Sequence, residues 1–124
     1  MLRKHGQSVL YAWEGMVWAF RTQANYRIHF FLSILALLGS YVLRVSYFEF
    51  LLVLLIIFIG IMVEAINTAI EKTTDAIDKQ WREDIKIAKD VSAAAMLIFS
   101  SGALIIAGII FIPKLIQLFL LLTG

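Results

Sequence analysis

Cysteine is absent from this chain, so disulfides and thiolate metal sites are excluded and the redox compartment stays undetermined. Charge is scarce as well. Only 16% of the residues are Asp, Glu, Lys or Arg, and the net charge of +2 is too small to argue for nucleic acid as a partner. The two histidines, His5 and His29, are too scattered for a zinc site. Neither a GxxxxGKS/T loop nor a GxGxxG fingerprint occurs, which removes the P-loop and dinucleotide-binding readings. Internal repeats and low-complexity segments are also missing. A cleavable signal peptide is not expected. Arg3 and Lys4 open the chain, but Glu14 and Arg21 break the apolar residues behind them, and no small-residue cleavage site follows. At 124 residues the chain is too short for two ordinary domains.

What the chain does have is apolar length. It is 61% hydrophobic with a mean hydropathy of +0.88, far from a soluble domain. Three stretches are candidate membrane spans: 28–46, 48–70 and 90–112. A spanning helix needs roughly 20 residues. The third stretch reaches that length alone and ends before Pro113 and Lys114; the first two reach it by including flanking polar residues. A buried helix hairpin of a soluble protein is the competing reading. The run Leu51-Leu52-Val53-Leu54-Leu55-Ile56-Ile57-Phe58 has no polar face, which argues against it.

The segment 7–24 reads differently. Val9, Leu10, Trp13, Met16, Val17 and Phe20 recur at helical spacing, while Gln7, Glu14 and Arg21 fall on the opposite face. This is the pattern of an amphipathic helix lying in the membrane interface, either as a simple anchor or as a lid over a site. Tyr11, Trp13 and Trp18 suit headgroup depth. Arg3, Lys4, Arg21 and Arg27 precede the first span; Lys72, Lys79, Arg82, Lys86 and Lys89 lie between the second and third. Nine of the eleven basic residues thus fall on one side if the chain crosses three times. The positive-inside rule makes that side cytoplasmic, with the N-terminus inside and the C-terminus outside.

The chemistry-bearing residues begin inside the second span. Glu64, Asn67, Glu71, Asp75 and Asp78 are spaced three, four, four and three apart, which predicts one helical face. A carboxylate near bilayer depth costs roughly 2.5–3.5 kcal/mol even on the gentler insertion scales, so Glu64 reads as a functional group. Carboxylates and an amide facing one way suit a hard cation such as Mg²⁺. Lys89-Asp90 stands at the start of the third span, on the same side. Phosphoryl transfer needs such parts: carboxylates for Mg²⁺, a cation for phosphate oxygens and a base for the acceptor hydroxyl. The plainer readings are a helix start for Lys89-Asp90 and a solvated loop for Asp75, Asp78, Glu83 and Asp84.

Glu64-Ala-Ile-Asn67-Thr68-Ala69-Ile70-Glu71, followed by Lys89-Asp90-Val-Ser-Ala-Ala-Ala, resembles the two signatures of the small prokaryotic diacylglycerol kinase family. Tyr11-Ala-Trp13-Glu-Gly15 and Asn25-Tyr-Arg27-Ile-His29 match its N-terminal pattern. The resemblance covers nearly the whole chain. It implies an all-α integral-membrane lipid kinase of the bacterial cell membrane, with an N-terminal amphipathic helix and three transmembrane helices. It also implies a homotrimer whose active sites are shared between subunits and face the cytoplasm, where ATP is the phosphoryl donor. Carried over by position, Glu64 resembles the catalytic base and Glu71 a metal ligand. Asn67, Glu71, Lys89 and Asp90 resemble nucleotide and phosphate contacts; Tyr11 and Glu83 resemble contacts nearer the nucleoside. Ala93, Ala94, Ala95, Gly102 and Gly108 would permit close helix approach in a trimer.

At Gln23 many members have a glutamate that shares metal binding with the position of Glu71. Glutamine keeps an oxygen ligand and loses the charge. The Asn25–His29 block and the tail Ile109-Ile-Phe-Ile-Pro113-Lys114-Leu are similar to the Gram-positive branch of undecaprenol kinases. That branch implies undecaprenol as the lipid substrate, with diacylglycerol as the alternative. A small membrane assembly factor or ion-binding protein is the non-enzymatic alternative; it gives no reason for Lys89-Asp90 to face the stripe.

Overall fold

A computed structural model describes residues 2–124, with side chains from Gly6 onward. The side chains of Arg3 and Lys4, which contribute to the charge count, and that of His5 lie outside the described residues. The chain is all-helical: α1 (Leu2–Thr22), α2 (Ala24–Val42), α3 (Tyr47–Ile77) and α4 (Glu83–Thr123). Helix α3 is the centre of the packing, with α4 and α2 along its length and α1 touching both α2 and α3. Two helices, α3 and α4, are long and apolar enough to cross a membrane. At about 1.5 Å per residue, the 31 residues of α3 are longer than a hydrocarbon core of about 30 Å, so a crossing by its apolar part would leave its C-terminal turns in the polar region.

Each joint has a local cause. Gln23 is extended (φ −101, ψ 120) and separates α1 from α2. The Arg27 guanidinium folds back and donates to the carbonyls of Arg21 (3.0 Å) and Phe20 (3.4 Å), satisfying carbonyls that the end of α1 leaves free. Phe20 and Phe30 meet edge to face at 5.3 Å across the same bend. Between α2 and α3, Arg44 takes the left-handed conformation (φ 50) and the chain reverses. Ser46 then caps α3: its hydroxyl accepts from the Glu49 N–H (3.3 Å), and Glu49 accepts from the Ser46 N–H (2.6 Å). Lys114 of α4 reaches the same Glu49 at 3.0 Å and ties the two long helices together at that end.

Two sequence expectations are corrected here. The helix that carries the third candidate span, α4, does not stop before Pro113 but runs through it to Thr123, starting already at Glu83. Proline costs the helix one N–H bond, and the Ile and Phe residues before it are only middling helix formers, but in apolar surroundings an uninterrupted helix keeps the remaining backbone satisfied. Asp78 also leaves the α3 face. It is the C-cap (φ −157, ψ 138), and its carboxylate accepts from the Gln80 N–H at 2.8 Å in the following turn.

The burial pattern is inverted relative to a soluble domain. Among the described residues, the buried polar side chains, Ser40, Glu64, Asn67, Thr68, Thr74 and Ser92, outnumber the buried apolar ones, Ala19, Tyr26, Val53 and Ile110. Large apolar residues such as Phe58, Leu97, Ile98 and Leu104 lie on the outside. Such a surface is at home in lipid, where apolar exposure carries no penalty and polar groups must find partners inside.

Candidate active site

The buried polar groups collect along one face of α3 at the level where it leaves the apolar zone. Glu64 is only 2% exposed. Asn25 from α2 and Thr68 one turn along α3 bring polar side chains toward its carboxyl. Its Oε2 is nevertheless buried without a hydrogen-bond partner among the described residues. An orphaned carboxylate oxygen is costly and calls for a reason. The space beside it supplies one. Glu64, Asn67 and Glu71 line a cleft of about 320 Å³, closed on the α2 side by Asn25 and His29 and on the α4 side by Met96 and Ser100.

A hydrogen-bond chain fixes the middle of this face. The Ser92 hydroxyl of α4 donates to Asn67 Oδ1 at 2.6 Å, and the Asn67 amide donates to Glu71 Oε1 at 3.3 Å. Ser92 is buried and has no partner predictable from its neighbours in sequence; only the packing of α4 on α3 reveals it. One turn nearer the helix end, Lys89 donates to Asp75 at 2.5 Å. The Lys89 ammonium holds the Asp75 carboxyl below the usual carboxylate range. Asp90, next in sequence, turns instead to Lys86 at 2.5 Å. Lys89 and Asp90 therefore lie two turns inside α4, whose start is Glu83, and each already has an ionic partner.

The remaining sequence candidates stand apart from this cleft. Gln23 occupies the α1–α2 joint, where its amide donates to the Thr22 hydroxyl at 3.0 Å. Tyr11 is exposed on α1. Glu83, in the first turn of α4, lines a separate surface cleft with Trp81 and Arg82. Within one chain the structure thus brings Glu64, Asn67 and Glu71 together, sets Lys89 beside them through Asp75, and leaves Gln23, Tyr11 and Glu83 outside. Asn25, His29, Thr68 and Ser92 are the additions that sequence reasoning missed as site residues. The Asn25–His29 block was legible as a motif; its proximity to Glu64 was not.

Glu64 and Glu71 are seven residues apart, two helical turns or about 10 Å of rise. Glu64 is buried, whereas Glu71, nearer the C-terminal end of α3, is half-buried.

The sequence profile of the family described as prokaryotic diacylglycerol kinase matches residues 10–111. The chain belongs to the prokaryotic diacylglycerol kinase family. It is 33% identical over 112 residues to a diacylglycerol kinase of Synechocystis sp., covering 90% of this chain and 64% of that relative. It is 32% identical over 114 residues to the undecaprenol kinase of Bacillus subtilis, covering 92% of this chain and 93% of the relative. A diacylglycerol kinase of Pseudomonas aeruginosa is 31% identical over 88 residues, covering 71% of this chain and 72% of that protein. The relatives are lipid kinases, and family membership brings with it ATP as phosphoryl donor, a lipid acceptor and a place in the bacterial membrane. It also sets aside the assembly-factor reading.

Proposed function

We propose that this chain transfers the γ-phosphoryl group of ATP to the primary hydroxyl of undecaprenol, at the cytoplasmic face of the membrane and as a homotrimer. The observation that carries the reading is the buried, unpartnered carboxylate oxygen of Glu64 beside a cleft shared by three helices. In this role Glu64 accepts the hydroxyl proton as the oxygen attacks phosphorus. Asn67, held by Ser92, keeps the Glu71 carboxylate in place. Glu71 suits Mg²⁺, which usually takes one or two carboxylates together with substrate phosphates and keeps several waters. The bound ion would neutralise charge on the phosphates. No group of three acidic or histidine ligands converges among the described residues, so the donor set fits a metal that arrives with the nucleotide rather than one caged by protein alone. Gln23 lies away from Glu71 in the same chain and would join that ion only from a neighbouring subunit. Lys89 leaves Asp75 to meet phosphate oxygens, with Asp90 beside it; Tyr11 and Glu83 lie toward the nucleoside.

The topology belongs to the same proposal. Helix α2 makes a third crossing alongside α3, which places the basic α3–α4 loop in the cytoplasm. Ala95 is exposed on α4 and lies two turns before Gly102, where a Cβ would meet open space, so the face that these two share is free for close approach by another chain. Undecaprenol is favoured because the Bacillus relative named for it aligns over 92% of this chain and 93% of its own length. Diacylglycerol is the second reading, supported by the similar identity of the relatives named for it.

The test is Glu64→Gln. The amide keeps the volume and removes the base. Nucleotide binding and helicity should be retained while phosphate transfer to lipid falls by roughly 10²–10⁴-fold. Near-normal turnover in that variant would remove Glu64 from the reaction.

A further inference from the structure

The cleft at Glu64 continues into the membrane. His29 and Ser100 line both it and a second cleft of about 340 Å³, almost wholly apolar, that runs on between α2, α3 and α4. Leu32 and Leu104 border this second cleft and are exposed on the lipid-facing surface, so it opens to the surrounding hydrocarbon. On the apolar side of the shared residues His29 and Ser100, the ring of Phe99 rests on the bare backbone of Gly60. A Cβ at Gly60 would lie 2.6 Å from Phe99 Cζ, 2.8 Å from Cε1 and 3.4 Å from His29 Nδ1. The ring also faces the imidazole of His29, with centroids 6.1 Å apart. Only the lack of a side chain at position 60 lets the aromatic ring settle this close to α3, and Phe99 is the one aromatic ring in a wall otherwise built of aliphatic and small residues such as Ile57, Ala36 and Ala103, apart from His29.

We propose that Phe99, seated on Gly60, determines which lipid the enzyme accepts: it narrows the passage between the polar and apolar clefts to the width of one hydrocarbon chain. The inference rests on the lipid-kinase reading above. A polyprenol is a single chain that ends in its hydroxyl. It can thread the passage with the hydroxyl at Glu64 and the hydrocarbon in the apolar cleft. Diacylglycerol forks into two chains close to its reacting hydroxyl, and the second chain must push the ring aside. Forcing extra volume into a packed site is opposed by off-rotamer and backbone strain, and pocket fit of this kind discriminates substrates by about 10–200-fold. His29 and Gly60 act here as positioning residues, holding the ring from two sides.

The experiment compares kcat/KM for a polyprenol and for a diacylglycerol in mixed micelles, with KM for ATP measured alongside. The proteins are the wild type, Phe99→Ala, Phe99→Leu, Gly60→Ala and the double variant Gly60→Ala/Phe99→Ala. The wild type should prefer the polyprenol. Phe99→Ala should raise the diacylglycerol-to-polyprenol ratio by about 10-fold or more, and Phe99→Leu by less in the same direction. Gly60→Ala drives the ring into the passage, so it should lower kcat/KM for both lipids while leaving KM for ATP unchanged. Removing the ring in the double variant should restore the lost polyprenol activity. An active wild type that prefers diacylglycerol, or a ratio unmoved in both Phe99 variants, overturns the role of Phe99 and leaves the kinase reading standing. A wild type that phosphorylates neither lipid overturns the kinase reading itself.

Discussion

Lys89 shows how a residue's partners set its task. Sequence proximity pairs it with Asp90, yet its ammonium meets Asp75 across the α3–α4 interface, while Asp90 meets Lys86 one turn back along its own helix. Both pairs are substantially exposed, so they contribute little to stability. A nucleotide polyphosphate carries more charge than Asp75 and can take Lys89 over. Lys89→Ala should therefore raise KM for ATP much more than KM for lipid. Asp75→Asn, which frees the lysine, should lower KM for ATP. Steady-state kinetics with each substrate varied in turn checks both. Unchanged kinetics in Lys89→Ala would return it to a helix charge without a substrate. The pH sense follows from the depressed Asp75 carboxyl. The pair is complete above the ordinary carboxylate range and is lost only as pH falls through the lowered value, so it persists across neutral pH. Carbon NMR of the Asp75 carboxyl should show that low titration, and Lys89→Ala should move it back up.

Helix α3 owes its start to three groups from two helices. The Ser46-x-x-Glu49 pattern closes a reciprocal cap, and Glu49 also receives Lys114 from α4. Glu49 therefore does two tasks and Lys114 one. Loss of such a cap costs about 0.5–2 kcal/mol. Ser46→Ala should lower unfolding stability in detergent by that amount. Glu49→Ala should exceed Lys114→Ala, because it removes the cap and the interhelical tie together. Circular dichroism during denaturant titration measures both, and equal losses for Glu49→Ala and Lys114→Ala would mean that the cap contributes nothing. The far ends of the helices follow different rules. Pro113 does not stop α4, because the apolar residues on either side are held helical by their surroundings. Gln23 does interrupt the chain, with Arg27 gathering the last carbonyls of α1.

At the scale of the molecule, one chain packs its helices around α3 with polar groups inside and large apolar side chains outside. Its orientation is testable by charge. With the basic α3–α4 loop in the cytoplasm, Lys79→Cys should react with a membrane-impermeant thiol reagent only from the cytoplasmic side, and Tyr47→Cys only from the other; the chain's lack of native cysteine leaves no background. The reverse labelling would sink both the topology and access of the site to ATP. Composition, the apolar runs and the Glu64–Glu71 spacing were enough to read an all-helical membrane protein and the helical face that lines the candidate cleft, because helical periodicity and the cost of a charge in lipid are local properties of the chain. The pairings were not legible. Ser92 meets Asn67 across 25 positions, Lys89 meets Asp75 across 14, and Phe99 settles on Gly60, while Asp78 and Gln23 turn away from the face that periodicity assigned or the cleft that resemblance implied. These depend on the height and rotation of one helix against another. Packing and the turns at residues 43–46 and 78–82 set both, and a helical repeat carries no information about them.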